Sequence, residues 1–235
     1  MKVTLINCTP NPVETLIFTK QTRLNMGAAR WEKVMAMSYE DKMKEIAYMA
    51  DSIPSSWEFV DFIFAIEGVS RGFTHQFVRT RTNSYAQQSM RVTDMGEFDY
   101  VCSIEPGSEG HDIYTNEMTQ INESYSRMLE SGVPIEDARG ILPTNIATNI
   151  VAKINLRTLS DMARSRTGGR TQSEYRDVMD EMINTVLDKH HWAGHFLFPK
   201  GREFFDEVEM YARSLPAGEG RQRLMKIIDK MRKAL

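Results

Sequence analysis

One run constrains the fold more than any other: Phe59-Val60-Asp61-Phe62-Ile63-Phe64-Ala65-Ile66. It is apolar at both odd and even positions, Asp61 excepted, so neither face of a strand built from it suits water. The run is predicted to be a central strand, entered after Pro54, Ser55 and Ser56 and ended by Gly68. The stretch that follows, Ser70 to Arg91, has the opposite character: four arginines (Arg71, Arg79, Arg81, Arg91) and no acid. Ser70 is a predicted N-cap, after which Arg71, His75 and Arg79 recur on one helical face. Like charges stacked that way repel by roughly a few tenths of a kcal/mol per pair, and an anion among them relieves the repulsion. Ser84, Gln87, Gln88 and Ser89 add short donors and acceptors suited to phosphates and base edges. A solvated basic face is the plainer reading. The density of forked donors without acidic partners favours an anion site, phosphate first.

The basic character is local. Across 235 residues the formal net charge is only −3, which disfavours general nucleic-acid coating and suits a small anionic ligand. One domain, 1–235, is the default at this length. Cys8 and Cys102 are too few and too far apart for a disulfide framework or a thiolate metal site, which points to a reducing compartment. The N-terminus shows no long apolar region of a signal peptide, and no apolar run nears the ~20 residues that span a bilayer. Sixteen methionines are read as gap-filling between helices.

In chain order, Val3 to Ile6 is a predicted strand stopped by Pro10 and Pro12, and Val13 to Leu24 a weak helix. Ser38 and Asp41 form a capping pattern. They open a helix with an apolar stripe of Met43, Ile46, Ala47 and Ala50, ended by Pro54. After a turn at Asp94-Met95-Gly96 a short strand is expected near Tyr100 to Ser103. His111 to Ser131 is a helix closed by Gly132. Pro134 starts a short helix, Ile135 to Ile141, and Asn145 to Ile154 is a second strand. In the helix Asn155 to Arg166, Leu156, Leu159 and Ala163 mark a buried stripe whose next position is Arg166. An arginine aimed where a core residue belongs needs an anionic or hydrogen-bonding partner. Arg157 and Asp161 are spaced to pair. Gly168-Gly169 breaks the helix, and Thr171 with Glu174 is a capping box for Ser173 to His190, whose Tyr175, Val178, Met179, Met182 and Val186 face a core. The tail mixes aromatics (Trp192, Phe196, Phe198, Phe204, Phe205) with charges and ends in an amphipathic helix, Arg221 to Leu235, with Leu224, Ile227, Ile228 and Met231 apolar.

Among chemical candidates, His191 and His195 have chelating spacing, but Gly194 weakens the helix and no Glu-bearing zinc motif is present, so packing histidines are the better explanation. Ser89 lacks a nucleophile elbow and is read as a ligand-binding hydroxyl. No Gly-x-Gly-x-x-Gly and no P-loop occurs.

Arg79-Thr80-Arg81, seven residues, then Ser89 resembles the Arg-His-Arg…Ser signature of the flavin-dependent thymidylate synthases. Val69-Ser70-Arg71 and His75-Gln76 before it, and Arg91 after it, fit as well. Arg139-Gly140-Ile141-Leu142-Pro143 is similar to the family's Arg-x-x-Leu-Pro segment. Asn155-Leu156-Arg157, Arg166, Gln172 and Glu174 match its Asn-x-Arg…Leu-Arg…Gln-x-Glu segment in order and spacing. The match covers roughly Ser56 to Arg176.

The resemblance implies an α/β (α+β) fold with a central, mostly antiparallel sheet flanked by helices, that of the thymidylate-synthase-complementing proteins, assembled as a cytoplasmic homotetramer. It implies a methyltransferase that binds FAD between subunits and converts dUMP to dTMP, with methylenetetrahydrofolate as carbon donor and NADPH as reductant. The flavin mediates the transfer, so no protein thiol need attack the uracil. Carried over by position, Gln76, Arg79, Gln88, Ser89, Met90, Arg91, Arg139 and Arg166 would contact the nucleotide. Ser56, Arg79, Thr80, Arg81, Gln87, Asn155, Leu156, Arg157 and Asp161 would lie against FAD. Arg166 is the family's activating arginine, the catalytic residue. Three positions depart: Thr80 for the motif His, Gln87 for a carboxylate, and Asp161 for a His or Asn. They leave two alternatives, a diverged flavin enzyme acting at C5 of another pyrimidine nucleotide (for example by hydroxymethylation) and a non-catalytic nucleotide-binding homologue.

Overall fold

The computed structural model describes residues 1–22, 27–168, 171–198, 208, 211–212, 215 and 218–232. Four strands, β1 (Lys2–Cys8), β2 (Asp61–Ser70), β3 (Ser84–Gln87) and β4 (Ala147–Asn155), form one sheet in the order β1-β2-β4-β3. Every neighbouring pair is antiparallel. The apolar run is central, as its composition requires, but the chain covers only one of its faces. Phe62, Phe64 and Ile66 are fully buried, while Ile63 and Ala65 on the other parity are half-exposed.

The covering layer comprises α1 (Pro12–Gln21), α3 (Tyr39–Ser52), the 3-10 turn Pro54–Phe59, α7 (Leu156–Arg166), α8 (Ser173–Lys189) and α9 (Gly194–Leu197), with α2 (Ala28–Met35) beside α1. Tyr175, Val178, Met179, Met182 and Val186 of α8 are buried against the sheet, as their spacing predicts. A second cluster, Met95, Phe98, Met118, Tyr125, Ala138 and Ile146, forms where α5 (Glu109–Glu130) meets α6 (Ile135–Ala138) and its 3-10 continuation Arg139–Ile141. Gly132, at φ +86°, terminates α5, and Val133 N–H reaches back to Met128 O at 3.0 Å; a left-handed residue there favours glycine.

Several expectations are corrected. The predicted strand at Tyr100 to Ser103 is a single bridge, Tyr100 to Ile146. The polar segment Ser84 to Gln87 is a strand, because β4 offers it an unpaired edge. Gly68 does not end β2. Ile66 pairs with Ile150 and Val69 with Thr148, so Glu67 and Gly68 share Asn149 as a bulge. Gly68 takes φ +67° there, and its N–H donates to Asn149 Oδ1 at 3.0 Å. The stripe of α3 centres on Ile46 and Met49 rather than Ala47. The last helix, α10 (Glu219–Arg232), packs Leu224 and Ile228 but leaves Ile227 exposed. Leu24, Gly169, Phe204, Phe205 and the side chain of Met231 lie outside the described residues.

Candidate functional site

The arginine-bearing helix, α4 (Arg71–Phe77), is held at its first turn from three sides. Ser70 caps it, its Oγ accepting from Phe73 N–H at 2.9 Å. Arg71 and Gly72 N–H donate to Ile146 O at 3.1 Å and Thr144 O at 2.7 Å, which pins the turn to the segment leading into β4. The buried Glu174 carboxylate takes the remaining donors, Ser70 N–H and Ser70 Oγ–H, each at 2.6 Å. This corrects the capping box: Gln172 occupies the N-cap of α8 with no side-chain cap bond, and Glu174 is used across the fold. α4 also ends at Phe77, so Arg79 lies beyond it, off the face shared by Arg71 and His75. Phe77 stacks on Phe73 at 5.0 Å and meets the Tyr85 ring at 5.4 Å.

Arg71 organises the first patch. Its guanidinium donates to Gln88 O at 3.3 Å and forms no ion pair among the described residues. Burial, then the nearby Arg139 charge, pulls its pKa below the usual range. Gln88 is fixed twice by Asn149, through its N–H to Asn149 O at 3.0 Å and through its Oε1, which accepts from Asn149 Nδ2 at 3.2 Å. Ser89 Oγ accepts from Arg91 N–H at 3.2 Å. Arg91 Nε pairs with Glu136 Oε2 at 2.9 Å, and Arg139 Nε donates to Glu136 O at 3.1 Å. Met90 packs on the second apolar cluster. Gln88, Ser89, Met90, Arg91 and Arg139 are thereby gathered around Arg71 and Glu136. Gln76 stands apart, hydrogen-bonded to Gln172 at the start of α8.

A second patch forms where the Arg79-Thr80-Arg81 turn meets α7. Tyr85 Oη donates toward Phe77 O at 2.9 Å and Thr80 O at 3.0 Å, gripping the turn from beneath, and burial raises its pKa. Thr82 and Thr158 hydroxyls bond at 3.1 Å. Asn155 caps α7, Oδ1 accepting from Thr158 N–H at 2.8 Å. Arg79 and Arg81 are exposed and form no ion pair among the described residues. Arg157 does not pair with Asp161; it meets Glu58 at 2.6 Å, and Asp161 faces solvent. Ser56 and Leu156 are buried within the chain. Gln87 donates its amide to the buried Thr74 Oγ1 at 2.8 Å, a bond that a carboxylate could make only as acceptor.

The third element is Arg166. It ends the Leu156-Leu159-Ala163 stripe as the spacing predicts, half-buried, with its guanidinium 5.1 Å from the centre of the Tyr175 ring. Arg157 and Arg166, nine residues apart, sit about 14 Å apart along the axis and on opposite faces of α7. One chain therefore presents the predicted residues as separate patches. A groove of about 520 Å³ lies elsewhere, between Phe98, Tyr100 and α5. His190 packs its ring on Phe62 and Trp192, at 6.1 and 6.0 Å. The Cys8 thiol is pushed up to about 11, by burial and then by Asp61, which keeps it protonated at neutral pH and unfit as a nucleophile.

Two participants stand in the matched motif segments but receive no site role from them. Glu174 looks like a cap residue because its partner, Ser70, is distant in sequence. Arg71 carries a signal in the acid-free stretch, but only the fold brings Gln88 and Arg139 to it.

The family model described as thymidylate synthase complementing protein matches residues 4–190. Curated relatives include the flavin-dependent thymidylate synthases of Clostridium tetani, 32% identical over 79% of this chain and 82% of that protein, and of Pyrococcus horikoshii, 35% identical over 80% of each. Among solved structures, the flavin-dependent thymidylate synthase of Helicobacter pylori, crystallised with FAD and dUMP, shares the fold with a TM-score of 0.65 and 19% identity, over 82% of this chain and 97% of that one. With that sheet, those patches and these relatives, the chain belongs to the thymidylate synthase complementing protein family, the flavin-dependent thymidylate synthases.

Proposed function

We propose that this protein converts dUMP to dTMP by reductive methylation, using methylenetetrahydrofolate, NADPH and FAD. One observation carries the reading. Arg71 and Arg139 lie close enough for one to perturb the other, and among the described residues no carboxylate pairs with Arg71. Such an arrangement is stable when an anion joins it, and a nucleotide monophosphate is an anion that guanidinium forks hold well. Gln88 and Ser89 stand at the same patch to orient it.

Arg166 is the activating residue. Its fixed positive charge beside the pyrimidine N3–C2=O edge stabilises the negative charge that builds as C5 becomes nucleophilic. The donor set of the second patch fits FAD: exposed, uncompensated Arg79 and Arg81 suit a pyrophosphate, with Thr80, Gln87, Asn155, Arg157 and Asp161 around them. Bound there, the flavin would supply redox chemistry and mediate carbon transfer, consistent with a Cys8 thiol too basic to attack uracil. Because α7 holds Arg157 and Arg166 on opposite faces, a complete site calls for a second copy. We infer a homotetramer of single-domain chains working in the cytoplasm; among the described residues no helix is long and apolar enough to cross a membrane.

The test is product mass from dUMP, and separately from dCMP, with methylenetetrahydrofolate, NADPH and flavin. A gain of one methyl on dUMP is expected. A hydroxymethyl product, or a preference for dCMP, would reassign the reaction to the diverged alternative, and a colourless protein without turnover to the binding homologue. Arg166→Ala should fold normally and lose most turnover; unchanged activity would remove the role given to Arg166.

A further inference from the structure

Tyr175 is a polar residue with no conventional partner. It is fully buried, yet its hydroxyl makes no hydrogen bond of normal geometry among the described residues. Thr80 and Arg166 face it, and burial pushes the phenol up to about 12, so it is a neutral donor at physiological pH. A buried hydroxyl without a bond is costly and calls for a reason to keep this ring in place. The ring is held rigidly. It meets Phe73 edge-on at 5.1 Å and Phe77 at 6.1 Å. The preceding residue, Glu174, is clamped to Ser70 by two bonds of 2.6 Å. The guanidinium of Arg166 lies over the ring at 5.1 Å and forms no ion pair among the described residues.

Arg166 is also the last residue of α7, before Thr167 and Gly168. A long side chain at a helix end, with no carboxylate to hold it, needs another anchor if its charge is to stay on a pyrimidine edge. The aromatic face supplies one. We propose that Tyr175 is the positioning residue for Arg166: its ring seats the guanidinium, and the short side chain of Thr80 leaves room for the phenol in that seat. The claim rests on the function proposed above for its catalytic consequence, though not for the seat itself. It also gives Thr80 a purpose, since a histidine at that position would compete with the phenol for the same space.

A cation on a desolvated ring is worth a factor of about 3 to 30 in occupancy. Arginine-directed labelling with phenylglyoxal, read by peptide mass spectrometry on the intact protein, measures that occupancy without substrate or flavin. Tyr175→Leu should raise labelling of Arg166 about fivefold, with Arg71 and Arg139 unchanged as internal standards. Tyr175→Phe, which keeps the ring, should stay within about twofold of the native protein. Pentafluorophenylalanine at 175 keeps the shape and reverses the ring quadrupole, so it should label like Tyr175→Leu even if the leucine variant folds poorly. In turnover, Tyr175→Leu should lower kcat about tenfold with little change in KM for dUMP, and should add nothing in an Arg166→Ala background. Unchanged Arg166 labelling in the leucine and pentafluoro variants, or equal rises at all three arginines, would overturn the seat. Calorimetry of dUMP on the native protein separates the two claims: no binding would sink the proposed function, while the labelling would still decide the seat.

Discussion

Glu174 is the residue whose loss should be felt farthest. Replaced by alanine, it strands Ser70 N–H and Ser70 Oγ–H, both buried and both donating to it at 2.6 Å. A hydrogen bond to a carboxylate contributes about 1.5–3 kcal/mol, and each buried donor left unsatisfied costs about 1–3 kcal/mol. With two donors stranded, Glu174→Ala should cost about 3–5 kcal/mol. Ser70→Ala removes one of the two bonds and the cap on α4, a loss of about 2–3 kcal/mol. Because the two share a bond, the double variant should lose about 1.5 kcal/mol less than the sum. Urea unfolding followed by circular dichroism, at fixed protein concentration because assembly shifts apparent stability, reads this directly. With a slope of about 3 kcal/mol/M, Glu174→Ala should lower the midpoint by about 1–1.7 M without changing the slope. A cost below about 1 kcal/mol, or additivity within about 0.5 kcal/mol, would refute the clamp and return Glu174 to the ordinary role of a helix-end acid.

Three further outcomes follow from features elsewhere. Arg157 and Glu58 are each about half exposed at 46% and 50%, so Arg157→Ala should change stability by no more than about 0.5 kcal/mol in thermal unfolding. The Cys8 thiol, at about 11, should resist iodoacetamide at pH 8, and Cys8→Ser should keep turnover within about twofold, since only the thiolate is nucleophilic. Burial, and then Lys189, lowers the pKa of His190 below its ordinary 6.5. The unfolded chain thus binds the proton more readily, so stability is full above pH 6.5 and falls as pH drops through that value towards the lower folded one. His190→Gln should flatten this part of a Tm-against-pH curve; an unaltered slope would show that another group carries it.

What the sequence discloses, and what it hides, divides along contact range. The caps Ser38, Ser70 and Asn155 are legible because each bonds a backbone N–H three residues on. The inward aim of Arg166 is legible because three residues of one stripe, Leu156, Leu159 and Ala163, fix the phase of its helix. The motif spacing supplies the proposed site residues by resemblance alone. Hidden are the choices settled by distant chain: Glu174 reaches Ser70 rather than its own helix end, and Arg157 prefers Glu58 to Asp161. β3 has too polar a composition to announce itself and exists because β4 has an open edge. The half-exposure of Ile63 and Ala65 is equally illegible, since a run apolar at both parities does not say which face the helices cover.

Return to the single surplus residue where Glu67 and Gly68 face Asn149. It shifts the strand's parity by one, so that Val69 joins Phe62, Phe64 and Ile66 in the core, and Ser70 is buried beside it. The same local geometry recruits Asn149 as a bracket, one side gripping Gly68 N–H and the other gripping Gln88. Deleting Gly68 would thus do two things at once: rotate the serine that starts the basic helix out of reach of its carboxylate, and release a glutamine on the neighbouring loop. The Gln88 amide is in this way held by a backbone irregularity two strands away.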